Sequence, residues 1–141
     1  MLLKGNLNNF IGKFQVGMAI HACGSSTDLI IEKCVQNKAD ILISPCCYGS
    51  IKENDLIKYP RSNAFSKTIK KDLEDYFKLT SFADRTEINL EYEKTAHVCM
   101  SVIDSDRLLY LKMDNNYDFV QLTQMKPENC STKNNLILAK F

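Results

Sequence analysis

The chain has 141 residues, enough for one domain around a single core, with 45% hydrophobic and 25% charged residues as in an ordinary soluble protein. Eighteen basic and seventeen acidic side chains leave a net charge of +1, which excludes a strongly basic tail-type nucleic-acid binder but not a local basic patch. No apolar run approaches the roughly 20 residues of a membrane span, and the interrupted stretch from Met1 to Phe10, with one lysine, does not read as a signal peptide.

Residues 1–13 are weakly amphipathic and predict a helix or turn. Phe14 to Ala22 (FQVGMAIHA) is short and apolar, a buried strand ending at Cys23-Gly24. Ser25, Ser26 and Thr27 offer N-caps to a helix over Asp28 to Asn37, whose Leu29, Ile30, Cys34 and Val35 follow helical spacing. Asp40 to Pro45 (DILISP) is a second buried strand, stopped by Pro45 and Cys46-Cys47-Tyr48-Gly49. Two such strands joined by a helix predict a parallel βαβ unit. Lys52 to Arg85 reads as a polar, lysine-rich insertion. It carries the loop Tyr59-Pro60-Arg61-Ser62 and one helix through Leu73, Tyr76, Phe77 and Leu79. A longer helix is expected over Thr95 to Met113, then a strand over Tyr117 to Leu122, a loop from Pro127 to Asn134, and a last strand over Asn135 to Phe141. The final two strands, with no helix between them, predict an antiparallel pair at the end of an otherwise parallel sheet. About four strands is few for an α/β domain, so one sheet edge should be left exposed and open to a protein partner. Residues 1–141 show no repeat, linker or domain boundary. The six cysteines end strands or lie within helical patterns rather than stapling loops, which predicts a reduced, cytoplasmic protein.

At His21-Ala22-Cys23-Gly24-Ser25-Ser26-Thr27-Asp28 and Ser44-Pro45-Cys46-Cys47-Tyr48-Gly49 the chain resembles the methyltransferase-like domain of glutathione S-transferase C-terminal domain-containing proteins. The likeness continues through Tyr59-Pro60-Arg61-Ser62, Ala83-Asp84-Arg85-Thr86, Cys99-Met100, Ile103-Asp104-Ser105-Asp106-Arg107 and Cys130-Ser131-Thr132-Lys133-Asn134. More distantly, the H-x-C-G-x-x-T-D and Cys-Cys pattern resembles eukaryotic tRNA ribose 2′-O-methyltransferases. The resemblance implies an α/β fold, the C-terminal half of a Rossmann-like class I methyltransferase, with S-adenosylmethionine as cofactor. In that fold a glycine-rich loop and an acidic residue, after the first and second strands, hold the cofactor. Neither is visible here, and no two of the five glycines form a G-x-G. The expectation is therefore a fragment, inactive alone and completed by upstream sequence. It would act on RNA or a small-molecule acceptor, or else persist as a non-catalytic binding module.

His21 and Cys23 lie two apart at a strand end, where open α/β sheets bind ligands. They are the expected catalytic pair, with His21 as general base, although a histidine that only hydrogen-bonds its loop fits as well. Cys47 and Tyr48 are expected to line the substrate pocket, together with Arg61, Thr132, Lys133 and Asn134. Asp28 is a cofactor-binding candidate, yet capping its own helix would explain it fully. His21, Cys23, Cys46 and Cys47 have the chemistry of a zinc site. No metal is expected, however, because neighbours on a strand point to opposite faces and no C-x-x-C occurs. Asp104, Asp106 and Arg107 have the spacing of ion pairs on a helix. Lys52, Lys58, Arg61, Lys67, Lys70 and Lys71 would suit phosphate contacts, but Glu53, Asp55 and Asp72 dilute them into an ordinary solvated face. His97, without a motif partner, reads as a surface or structural residue.

Overall fold

The computed structural model describes residues 4–68, 73–86 and 90–141. After a 3₁₀ turn at Leu7–Asn9 come strand β1 (Val16–Cys23), helix α1 (Ser25–Asn37) and strand β2 (Asp40–Cys46). A second 3₁₀ turn (Tyr48–Ser50) leads to helices α2 (Asn63–Thr68), α3 (Leu73–Ala83) and α4 (Leu90–Leu109). Helix α4 ends in a π-helical turn over Tyr110–Asp114. Strand β3 (Phe119–Gln124), a third 3₁₀ turn (Glu128–Cys130) and strand β4 (Asn135–Lys140) close the chain.

The sheet order is β1-β2-β4-β3. Strands β1 and β2 run parallel, as a helical crossover requires. Strand β4 lies between β2 and β3 and runs antiparallel to both. The expected terminal antiparallel pair is thus present, but its second strand is inserted beside β2 rather than added at the rim. Among the described residues β1 is paired on one side only.

Two cores hold the domain. The first lies under one face of the sheet, where Ile41, Ile43, Ile137 and Ala139 meet Ile31 and Cys34 of α1 and Leu111 after α4. Gly17 belongs there, because a Cβ at that position would sit 2.2 Å from the Cys34 Sγ. Among the described residues the opposite face is open at β1. Val16, Met18 and Ile20 alternate along β1 with more than half of each side chain's residue surface exposed. Met18 pairs with Leu42 and Leu42 with Leu138, so an apolar row crosses three strands on that side. The second core joins the Tyr48 turn and the segment after it to α3 and α4, through Ile51, Ile57, Tyr59, Tyr76, Met100 and Ile103. The polar insertion is therefore a packed second layer, and it carries α2, which lacks a periodic apolar signal, in addition to the expected helix.

Most departures from expectation are shifts at element ends. Helix α1 begins at Ser25 with Gly24 as its cap, because the Thr27 hydroxyl is engaged with the Ala22 carbonyl at 2.5 Å. Helix α4 starts at Leu90, ahead of the expected Thr95, and β3 begins two residues later than expected. No described helix is long and apolar enough to cross a membrane.

Candidate functional site

The carboxyl ends of β1 and β2 form the mouth of the sheet, and local backbone breaks set their side chains. In β1, Ile20 pairs with Ser44 and Ala22 with Pro45, so His21 is the extra residue of a bulge, at φ +56°. Its ring is exposed and makes no hydrogen bond or ion pair with described residues. Its carbonyl accepts from the Cys23 thiol at 3.4 Å. Gly24 follows at φ +52°, with its N–H donating to the Cys46 carbonyl at 3.0 Å. A Cβ there would lie 2.7 Å from the Ser50 carbonyl oxygen, so only glycine lets the two loops approach.

In β2 the strand conformation ends at Cys46, and Cys47 adopts a left-handed backbone (φ +46°, ψ +56°). That conformation cancels strand alternation. The Cys46 and Cys47 sulfurs lie 3.3 Å apart on one side of the chain, and with Cys23 all three Sγ atoms fall within 4.8 Å of one another. The geometric ground for excluding a shared metal, that adjacent cysteines diverge, does not hold here. His21 is not part of this group. Burial, then the neighbouring thiols Cys47 and Cys23, push the Cys46 thiol up to about 12. The Cys23 thiol is raised by its hydrogen bond with Cys47 and by burial. All six cysteines are free thiols.

Beside the thiols stands Lys133. Its ammonium donates to one Asp84 oxygen at 2.7 Å, while the other Asp84 oxygen accepts from the Gly49 N–H at 2.8 Å. Burial acts to lower Lys133, but the hydrogen bond and charge of Asp84 outweigh it, so the ammonium is held more firmly. Thr132 is exposed, and its hydroxyl meets that of Thr86 at 3.2 Å. Asn134 is buried and donates to the Glu128 carbonyl, a structural contact of the turn. Asp84 lies in one of the motifs of the resemblance, but nothing local marks its pairing with a lysine 49 residues later.

The remaining motif residues turn inward. Asp28 is wholly buried and does not cap its helix. Its oxygens accept from Arg107 at 2.9 and 2.7 Å and from the Tyr59 hydroxyl at 3.0 Å. Arg107 also donates to Asp104, which accepts from the Tyr48 hydroxyl and from Asn135. Burial raises the Asp104 carboxyl against the pull of Arg107, and burial followed by Asp104 holds the Tyr48 hydroxyl well above its usual range. Arg61 reaches Glu32 at 2.9 Å and stacks on Tyr110, 4.2 Å from the ring centre. Asp106 gathers the Tyr59–Ser62 loop by accepting from the Arg61 and Ser62 N–H groups and from the hydroxyls of Ser62 and Tyr76. Asp28, Tyr48 and Arg61 are 0%, 1% and 8% exposed, so the ligand contacts expected of them have almost no surface to act through. Of the ion pairs expected among Asp104, Asp106 and Arg107, that of Asp104 with Arg107 is present, Asp28 joins it, and Asp106 binds the Tyr59–Ser62 loop and Tyr76 instead. Arg61 leaves the basic cluster for this network. Lys52, Lys58 and Lys67 are exposed, and Lys70 and Lys71 lie outside the described residues. His97 is half-exposed on α4, 3.8 Å from Glu93 one turn earlier.

No family model and no solved structure matches the chain. Among curated proteins it is 39% identical over 142 residues to the Glutathione S-transferase C-terminal domain-containing protein homolog of Drosophila melanogaster, covering 96% of this chain and 24% of that protein. The proteins of the same name from Mus musculus and Homo sapiens are 38% and 36% identical over 138 residues, covering 96% of this chain and 21% of each relative. From insect to mammal, the homologues of nearly the whole chain carry the name glutathione S-transferase C-terminal domain-containing protein, and the chain spans about a fifth to a quarter of their length.

Proposed function

We propose that this chain is the acceptor-side half of a Rossmann-like class I, S-adenosylmethionine-dependent methyltransferase-like domain, acting on RNA or another nucleophile when further sequence completes it. The observation that carries this reading is the half-finished sheet. A parallel βαβ unit, extended by an inserted antiparallel strand, places His21 at the carboxyl-end mouth where open α/β sheets bind ligands. Parallel strands in such folds are covered by helices on both faces, yet here, in the row across three strands, Met18 is exposed, Leu42 and Leu138 beside it are only partly buried, and among the described residues the outer edge of β1 is unpaired. Further strands on that edge, with a helical layer over that row, would complete the domain. They would also bring the cofactor-binding loop beside the mouth.

In this reading the exposed His21 imidazole takes the proton of the acceptor hydroxyl or amine as methyl transfer proceeds. Cys23 orders the loop carrying His21, and Lys133 and Thr132 border the acceptor. Lys52, Lys58 and Lys67, free of the buried network, are the residues that would meet a phosphate backbone.

The test is methyl transfer from radiolabelled S-adenosylmethionine to cellular RNA and to small nucleophiles by the full-length protein. His21→Ala should abolish transfer while leaving S-adenosylmethionine affinity within about twofold. Transfer at the wild-type rate would remove His21 from catalysis. A full-length protein that neither binds S-adenosylmethionine nor transfers methyl groups would overturn the reading in favour of a binding module.

A further inference from the structure

We propose that Cys23, Cys46 and Cys47 form a zinc(II) site with three thiolate ligands and a fourth position open to solvent. The inference does not depend on methyl transfer. Its first support is convergence. The three sulfurs come from two strand ends and lie within 4.8 Å of one another, and no other group of three or more histidine, cysteine or carboxylate ligands gathers in this way among the described residues. Tetrahedral zinc–thiolate bonds of about 2.3 Å place sulfurs roughly 3.8 Å apart. The 3.3 Å gap between Cys46 and Cys47 and the limit of 4.8 Å on the spacings to Cys23 lie within about 1 Å of that value, so modest side-chain adjustments admit the ion.

The second support is the backbone that produces the convergence. The bulge at His21, the positive-φ turn at Gly24 and the left-handed Cys47 are three departures from strand geometry at the two strand ends, each at φ between +46° and +56°. Non-glycine residues adopt that region at a cost, and such strain gathers at functional sites. The third support is charge. Three thiolates on zinc leave one net negative charge, and the Lys133 ammonium, shared with Asp84, acts on all three cysteines and offsets part of it. Each thiol releases its proton to solvent as its sulfur takes the ion, and no electron changes hands. Cys46 and Cys47 are half-buried while Cys23 is exposed, so one side of the ion faces solvent. Three protein ligands with an open fourth place is the arrangement of zinc that meets water or substrate rather than only bracing a fold.

The full chain, purified reduced and dialysed against zinc alone, should carry about one zinc by inductively coupled plasma mass spectrometry. Cys23→Ser, Cys46→Ser and Cys47→Ser should each lower zinc affinity at least tenfold, whereas Cys130→Ser, at an exposed turn, should leave it unchanged. Because a variant may lose its fold, cobalt(II) is also bound to the wild-type chain, where thiolate-to-cobalt charge-transfer absorption should appear at an intensity fitting three sulfurs. Failure to bind zinc, absence of the charge-transfer band, or equal loss of zinc in Cys130→Ser would each overturn the site. So would a disulfide among the three cysteines that forms in air and persists in the presence of zinc.

Discussion

The two short motifs HACGSSTD and PCCYG each divide at the mouth of the sheet. Their cysteines, Cys23, Cys46 and Cys47, converge toward solvent with little but one another as partners. Asp28 and Tyr48 turn inward, where Arg107, Asp104, Tyr59 and Asn135 satisfy them. The two regions answer opposite physical demands. Charges removed from water are tolerated only when paired, so Asp28, Asp104 and Arg107 are committed to the fold. Thiols desolvate cheaply and can remain uncommitted. A residue's presence in a motif therefore does not tell whether it meets a ligand; its burial and its partners do.

The division can be broken most forcefully at Arg107. Arg107→Ala leaves Asp104 buried without its cation and Asp28 with only Arg61 at 3.8 Å, and removing one partner of such a group costs about 3–5 kcal/mol. Cys47→Ser, at the half-exposed mouth, should cost less than about 1 kcal/mol. Urea unfolding midpoints of the two variants measure the contrast. Similar midpoints would mean that the inward cluster carries no more of the fold than the thiols do.

A smaller effect is expected where the two regions touch. Gly24→Ala puts an L side chain at φ +52°, and its Cβ would lie 2.7 Å from a backbone oxygen that can move only with its turn. The expected loss is about 1–3 kcal/mol. Because the same turn places Cys23, zinc affinity should fall along with stability. If stability falls but zinc binding does not, the position of Cys23 is set by something other than this turn.

Much of this was legible in the sequence. Periodicity revealed the βαβ unit, the last two strands and the long helix to within a few residues, because burial on a defined face leaves a readable pattern. The strand pairing was less legible, since no local signal distinguishes β4 beside β2 from β4 at the rim. Residue roles were legible only in part. The Arg107–Asp104 pair is written in its spacing of three. The Asp28–Arg107 pair spans 79 positions and is written nowhere. The convergence of Cys46 and Cys47 was hidden for another reason. It depends on a left-handed residue that is not glycine, and strand alternation, the rule that the sequence invites, predicts the opposite.

The smallest effect sharpens the boundary between the two regions, at the rim of the inward network. Glu32 receives Arg61 at 2.9 Å and the Tyr110 hydroxyl at 2.8 Å. Burial acts to raise its carboxyl, but those two hydrogen bonds and the Arg61 charge outweigh it, leaving Glu32 below its ordinary 4.5. A carboxyl lowered on folding contributes stability that is fully present above its unfolded value and lost as pH falls through its folded value. The stability difference between wild type and Glu32→Gln should therefore be constant at neutral pH and shrink as the pH drops below about 4.5. Other carboxylates titrate in both proteins and cancel in that difference. Urea midpoints at a series of pH values would read it. A difference that stays level through the acid range would mean that Arg61 gains nothing from the charge of Glu32, and is held instead by Asp28 and by its stacking on Tyr110.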